Sequence, residues 1–255
     1  MARSTSGESV LERVVRLFEA FDSDTPAITV TELARRAALP PATASRLIGE
    51  LVGYGWLRRD ADRRVRIGVR MWELAVRASP TLGLREAAMP FMEDLHAVVG
   101  HHVQLGVLQH REVLYVDRLS APGAVRNVSR FGGRMPLHAT SPGLVLLAHS
   151  PADFQESILA GPLRAFTERT PSDPRTLRVL LGEIRRIGYA YCDGFIDDLA
   201  TAVAAPLRGS GDQVVAALSV IVPRDGSARS ILPAVLAAAR GISRALQSPS
   251  VPAPA

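Results

Sequence analysis

The chain has 255 residues, 47% hydrophobic and 22% charged, a balance that supports a globular core and excludes a disordered or low-complexity protein. No apolar run reaches the roughly 18 residues of a membrane span, and the opening MARSTSGESVLERVV lacks a secretory-signal pattern, so no membrane partner is expected. The net charge of +5 is too small to argue for nucleic-acid binding by itself.

Every basic residue is arginine; lysine is absent. A GC-rich genome accounts for that more simply than any demand for guanidinium chemistry. Cys192 is the single cysteine, which forbids an internal disulfide and fits a reducing, cytoplasmic setting.

In chain order, residues 1–8 are small and polar and are expected to be a disordered lead. Ser9 can cap a helix, with Glu12 placed for a capping box. Val10, Val14, Leu17, Phe18 and Phe21 then repeat at three and four, the spacing of one apolar helix face. Residues 22–26 break it. A second helix is predicted over 31–38, with Leu33, Ala34 and Ala37 inward and Arg35 and Arg36 outward. Leu39-Pro40-Pro41 makes the turn, since proline is tolerated at a first helical position. A third helix is predicted over 41–52, with Leu47, Ile48 and Leu51 inward. Residues 56–59 and 64–67 alternate as two strands around a bend at 61–63.

Two short helices, a tight turn and a basic hairpin form the layout of a winged helix-turn-helix, which places one helix in the DNA major groove. The start of the third helix offers Pro41, Ala42, Thr43, Ser45 and Arg46. Hydroxyls can bond phosphates or bases, and an arginine can fork onto guanine or clamp a phosphate. The hairpin carries Arg58, Arg59, Arg63, Arg64 and Arg66 against two aspartates, enough to neutralise flanking phosphates. Arg35 is expected to be solvated or to face a phosphate. Arg46 could instead pair with Glu50, one turn on.

Residues 69–78 read as a further amphipathic helix and 79–83 as a boundary. A long helix is predicted over 84–99, with a kink or break at Pro90. Strands are predicted over 103–108, 113–119, 125–129, 189–192, 203–207 and 214–222, and helices over 141–148, 153–159, 176–187 and 231–246. Strands and helices mix without βαβ alternation, so an α+β domain with an antiparallel sheet is expected. The proline-rich tail 248–255 is expected to be disordered.

The segments SVLERVVRLFEAF, TELARRAALPPATASRLIGELVGYGWL, RIGVRMWELA, LREAAMPFMEDL, GRMPLHATSPG and VAAPLRGSGDQVVAALSV together resemble the IclR family of bacterial transcription regulators, over roughly residues 9–247. The most specific tract is Pro136-Leu137-His138-Ala139-Thr140 followed by Gly143. The resemblance implies a winged helix-turn-helix over 9–68, a linker helix and boundary over 69–83, and an effector-binding domain with a GAF-like sheet over 84–247. It also implies a homodimer or homotetramer on a pseudo-palindromic double-stranded operator.

The resemblance further places a small-molecule effector between the 136–143 tract and the facing sheet. Met135, Ser141 and Pro142 would line one side, Ser219 and Ile221 another, and residues 191–205 would close it. Asn127, His138, Cys192, Asp193 and Ala202 complete the candidate set. The family commonly has Gly-x-x-Cys-x-Ala before the strand ending in Ala-Ala-Pro, a cation after the loop glycine, and a second serine near the end of the later strand. Here Leu199, Ala202, Leu144 and Ile221 stand in those places. Each change removes a polar or cationic group, and a small carboxylate needs several donors to offset its desolvation. The expected effector is therefore larger or more apolar than a two- or three-carbon oxo-acid.

Other chemistries find little support. His101 and His102, adjacent on a strand, would point to opposite faces, and no Cys or His spacing matches a zinc template. Cys192 reads as a small buried residue. No Gly-x-Ser-x-Gly elbow or phosphate loop is present, and Asp197-Asp198 reads as a solvated turn. No cofactor, metal or catalytic residue is expected. Of the competing functions, a small-molecule-binding enzyme with an N-terminal helical appendage would need a nucleophile–base pair or a metal site, and the sequence shows neither; a purely protein-binding module is separated from a DNA-binding one by salt-dependent binding to DNA.

Overall fold

The computed structural model describes residues 8–22, 25–78, 80–129 and 131–247. The expected disordered lead (save Glu8) and the tail 248–255 lie outside the described residues. The chain divides into two compact units, 1–82 and 83–255.

In the first unit, α1 (Val10–Glu19) starts at a capping box: the Ser9 hydroxyl accepts from the Glu12 amide, and the Glu12 carboxylate accepts from the Ser9 amide at 2.7 Å. Val10, expected on the inward face, is exposed, because the first turn of α1 extends past the small core. The second helix, α2 (Val30–Arg36), begins one residue earlier than its spacing predicts, because the Thr29 hydroxyl caps it by accepting from the Glu32 amide. Ala38 takes a left-handed φ of 51° in the turn, and the Leu39 amide donates back to Ala34 O at 2.9 Å. Then come α3 (Pro41–Gly53), the hairpin β1 (Leu57–Arg59) and β2 (Val65–Ile67), and α4 (Val69–Ala78).

Leu17, Leu33, Leu47, Ile48, Leu57 and Val65 close one core beneath these elements. Ile28 adds a bridge to Val65 that the sequence pattern does not reveal. Gly68 lies against backbone: a Cβ there would fall 2.0 Å from Gly55 O. Only glycine lets the chain leave β2 and enter α4 so close to the hairpin.

The second unit is a six-stranded sheet, entirely antiparallel, in the order β5-β4-β3-β8-β7-β6. The strands are β3 (His102–Gln109), β4 (Glu112–Leu119), β5 (Arg134–Pro136), β6 (Ala190–Asp193), β7 (Ala200–Arg208) and β8 (Val214–Pro223). One face packs on α5 (Pro80–Val99) and α9 (Ala228–Gln247) through Met92, Leu105, Val203, Leu218 and Val235. The other is covered by α6 (Ser141–Ala148), with α7 (Ala152–Leu159) and α8 (Pro174–Ile187) beside it. All eight residues of α6 are buried, as an apolar helix enclosed on every side must be.

Three expectations are corrected. Helix α5 already begins at Pro80, inside the stretch read as a boundary, and runs through Pro90 without ending; a first-turn proline has no amide bond to lose. Residues 125–129 are not a strand. Their polar groups are taken by side chains instead: the Val125 carbonyl by His102 and the Ser129 carbonyl by Arg118. The edge strand beside β4 is β5.

A β-bulge interrupts β4. Pairing steps from Leu105↔Asp117 to Gly106↔Tyr115, leaving Val116 as the extra residue. Asp117 consequently turns to the α5 face and holds Arg85. Its neighbour Arg118, opposite Gln104, turns to the α6 face and donates to Ser129 O at 2.7 Å.

Candidate functional site

In α3, burial of Ala44, Leu47 and Ile48 fixes the rotation of the helix. Pro41, Ala42, Ser45, Arg46, Gly49 and Glu50 are exposed, and Thr43 is half-buried. Ala42, Ser45, Arg46 and Gly49 follow helical spacing and form one stripe of short side chains around a single arginine. Arg46 Nη1 lies 2.6 Å from Glu50 Oε1, with both side chains more than half exposed.

On α2, Arg35 grips Glu32 with two bonds of 2.7 and 2.6 Å. Arg36 shares that carboxylate and also reaches Asp22. Hydrogen bonds from Arg35, then Arg36, hold the Glu32 carboxyl down at about 2. On the hairpin, Arg58 and Arg66 face each other across the strands and share Asp60. Arg64 pairs with Asp62 at 3.4 Å. Arg59 and Arg63 are exposed and have no acidic partner among the described residues. The tip at Arg63 takes a left-handed φ of 65°, which swings its side chain away from the strand pleat.

In the second unit a pocket opens between the first turn of α6 and the sheet face beneath it, with about 500 Å³ free of protein atoms, mouth included. Its walls are largely apolar or aromatic: Tyr115, Met135, Pro142, Phe195, Ile196, Ala202 and Ile221. Thr140 caps α6, accepting from the Gly143 amide and donating to Pro136 O. Gly143 is required there, since a Cβ would stand 2.5 Å from Leu137 O. Burial pushes the Tyr115 phenol up, against a hydrogen bond with Thr140. Burial likewise pushes the Cys192 thiol up, so it stays protonated and unreactive.

Residues 126–129 form the remaining wall. His102 Nε2 is 2.5 Å from Val125 O, and its Nδ1 is 3.0 Å from Ser120 Oγ. A carbonyl only accepts, so Nε2 carries the proton and neutral Nδ1 accepts from the serine. Burial lowers the pKa of His102, opposed by the Val125 carbonyl and aided by Arg118, His101 and His96. Arg126 stands exposed at the pocket, without an acidic partner among the described residues.

The family model described as bacterial transcriptional regulator IclR C-terminal matches residues 77–247, and the one described as IclR helix-turn-helix domain matches residues 10–61. The chain belongs to the IclR family. It is a DNA-binding transcription regulator with a helix-turn-helix unit and an effector-binding C-terminal domain. Its relatives include the glycerol operon regulatory protein of Streptomyces coelicolor, 28% identical over 92% of this chain and 95% of that protein. A solved IclR homologue from Microbacterium hydrocarbonoxydans, complexed with 4-hydroxybenzoate, is 44% identical over 93% of this chain and 99% of that one, with a TM-score of 0.89. Another, from Microbacterium sp. strain HM58-2, is 42% identical over 96% of this chain and 100% of that one, with a TM-score of 0.64.

Among the effector candidates of this IclR-family regulator, Asn127, Met135, Ser141, Pro142, Cys192, Ala202 and Ile221 line the one pocket. Three others stand elsewhere. His138 is buried with Nε2 on Arg164 O at 2.9 Å, anchoring a loop rather than facing the pocket. Asp193 is engaged by Arg224, Thr201 and Arg169. Burial pushes its carboxyl up, but bonds from Arg224 and Thr201 and the two arginine charges outweigh this and leave it lowered. Ser219 faces the same side, beside Gln104 on the neighbouring strand, but is fully buried and not among the lining residues. Gln104, Tyr115, Arg126, Ser129 and Phe195 line the pocket without having been singled out. The usable sequence signal was Gln104, an amide in a run of otherwise apolar strand positions.

Proposed function

We propose that the pocket takes a ring-sized aromatic carboxylate as effector and that its binding changes operator affinity. The lining carries this reading: apolar and aromatic walls with one cation, Arg126, and one acid, Asp197, whose carboxylate accepts from the Leu199 amide. Such a site suits a mono-anion with an apolar body. A two- or three-carbon oxo-acid would leave the walls unfilled and its carboxylate poorly solvated. The 4-hydroxybenzoate complex of the 44%-identical homologue supports the same size class.

In this reading Ala42, Thr43, Ser45 and Arg46 face base edges, with Pro41 at the helix start. Arg58, Arg59, Arg63, Arg64 and Arg66 hold phosphates, with Arg35 beside them. The regulator works in the cytoplasm, without catalysis, as a repressor. A homodimer, or a pair of them, sits on two half-sites about one helical turn apart. The effector alters how two copies meet, and α4 passes the change to the spacing of the two reading helices.

Titration of DNA upstream of the regulator's own gene, followed by fluorescence anisotropy, tests this. Micromolar 4-hydroxybenzoate should shift operator affinity about 5- to 150-fold, the range of a 1–3 kcal/mol coupling. Calorimetry that finds micromolar binding of pyruvate or glyoxylate, and none of aromatic acids, would overturn it.

A further inference from the structure

Buried polar atoms without a partner are rare in folded proteins. Here they cluster. Gln104, Asn127 and Ser141 line the pocket, and Ser219 stands beside Gln104 on the neighbouring strand β8; Gln104 Oε1, Asn127 Nδ2, Ser141 Oγ and Ser219 Oγ have no hydrogen-bond partner among the described residues.

The polarity of this cluster follows from one backbone amide. The Ser129 N–H can only donate, and it donates to Asn127 Oδ1 at 3.0 Å. That bond orients the Asn127 amide, leaving its Nδ2 on the opposite side. The Ser129 hydroxyl must then also donate to Asn127 Oδ1, at 2.7 Å, because that oxygen only accepts. Its own oxygen is left to accept, so Gln104 must present Nε2 to it. Gln104 Oε1 is thereby forced into the pocket as an unmet acceptor, and Asn127 Nδ2 as an unmet donor. Gln104 is fully buried, so neither amide can flip without breaking the chain of bonds.

We infer that Gln104 and Asn127 form a specificity-determining subsite for a neutral group that both donates and accepts: a hydroxyl or primary amide on the effector ring. The inference rests on the aromatic-effector reading and narrows it. A carboxylate cannot serve at this end, because it has no proton for Gln104. An ether cannot serve either, for the same reason. A ligand without the group leaves two buried partners unmet, and such omissions are discriminated more sharply than differences in apolar size.

The test is calorimetric titration of the full chain with 4-hydroxybenzoate, 4-methoxybenzoate and benzoate. The hydroxy acid should bind about 10- to 100-fold tighter than 4-methoxybenzoate, the factor expected for one unmet buried group, and tighter still than benzoate, which leaves two. In Gln104→Met, of similar length and without either amide atom, 4-hydroxybenzoate should lose its advantage over 4-methoxybenzoate, because the Asn127 Nδ2 donor that remains serves either oxygen. Equal affinities in the unaltered protein would overturn the subsite while leaving the aromatic-acid reading intact. A preference for the hydroxyl over the methoxy group that survives Gln104→Met would place the hydroxyl elsewhere and also overturn it. Failure of all three acids to bind would overturn the aromatic-acid reading and the subsite with it.

Discussion

Arg46, the single cation on the exposed face of α3, is paired within its own helix to Glu50 at 2.6 Å. Both side chains are exposed, so the pair contributes little to stability. Its effect falls on DNA binding, where an approaching phosphate or base must compete with Glu50. A bidentate guanine contact can displace the carboxylate at a net gain, whereas a lone phosphate offers less. Replacing Glu50→Gln should therefore raise affinity for random duplexes several-fold more than affinity for the operator, narrowing the ratio between them. Competition titrations at fixed salt read this directly; an unchanged ratio would remove Glu50 from the recognition process. Helical spacing was enough to place Arg46 and Glu50 together, because α3 is regular and its buried face is unambiguous.

At the scale of elements, the regular pieces were legible in the sequence and the irregular ones were not. The hairpin, the Ser9 capping box and the antiparallel character of the sheet follow from local pattern, whereas the Thr29 cap of α2 does not. The wall formed by residues 126–129 does not, because side chains from β3 and β4 hold it rather than a ladder of backbone bonds. Val125, Val128 and Ser129 look strand-like for their composition, yet Val125 and Ser129 bond to a histidine, a glutamine and an arginine distant in sequence. The same blindness hid Gln104 and Arg126 from a reading by periodicity. By contrast, the start of α6 is dictated by the Thr140 cap and by the space that Gly143 leaves for Leu137. Gly143→Ala should force that turn apart and destabilise the second unit by roughly 1–3 kcal/mol, as overpacked cores do. Urea denaturation monitored by far-UV dichroism would show it as a lowered midpoint; no change would mean the turn can relax around an added methyl.

For the whole molecule, two compact units with separate cores should unfold as two events. A ligand that binds only the second unit stabilises only that event, by about 2.7 kcal/mol at a concentration one hundred times its dissociation constant. Scanning calorimetry with saturating 4-hydroxybenzoate should move one transition upward and leave the other in place; a single transition that moves as a whole would show that the units unfold together. The bulge at Val116 divides the work of β4 within the second unit. It sets Asp117 and Arg118, neighbours in sequence, on opposite sides of the sheet, one gripping α5 and the other the wall of the pocket. The peptide between them thus carries two loads at once: the wall of the pocket and helix α5 are tied to adjacent residues of a single strand.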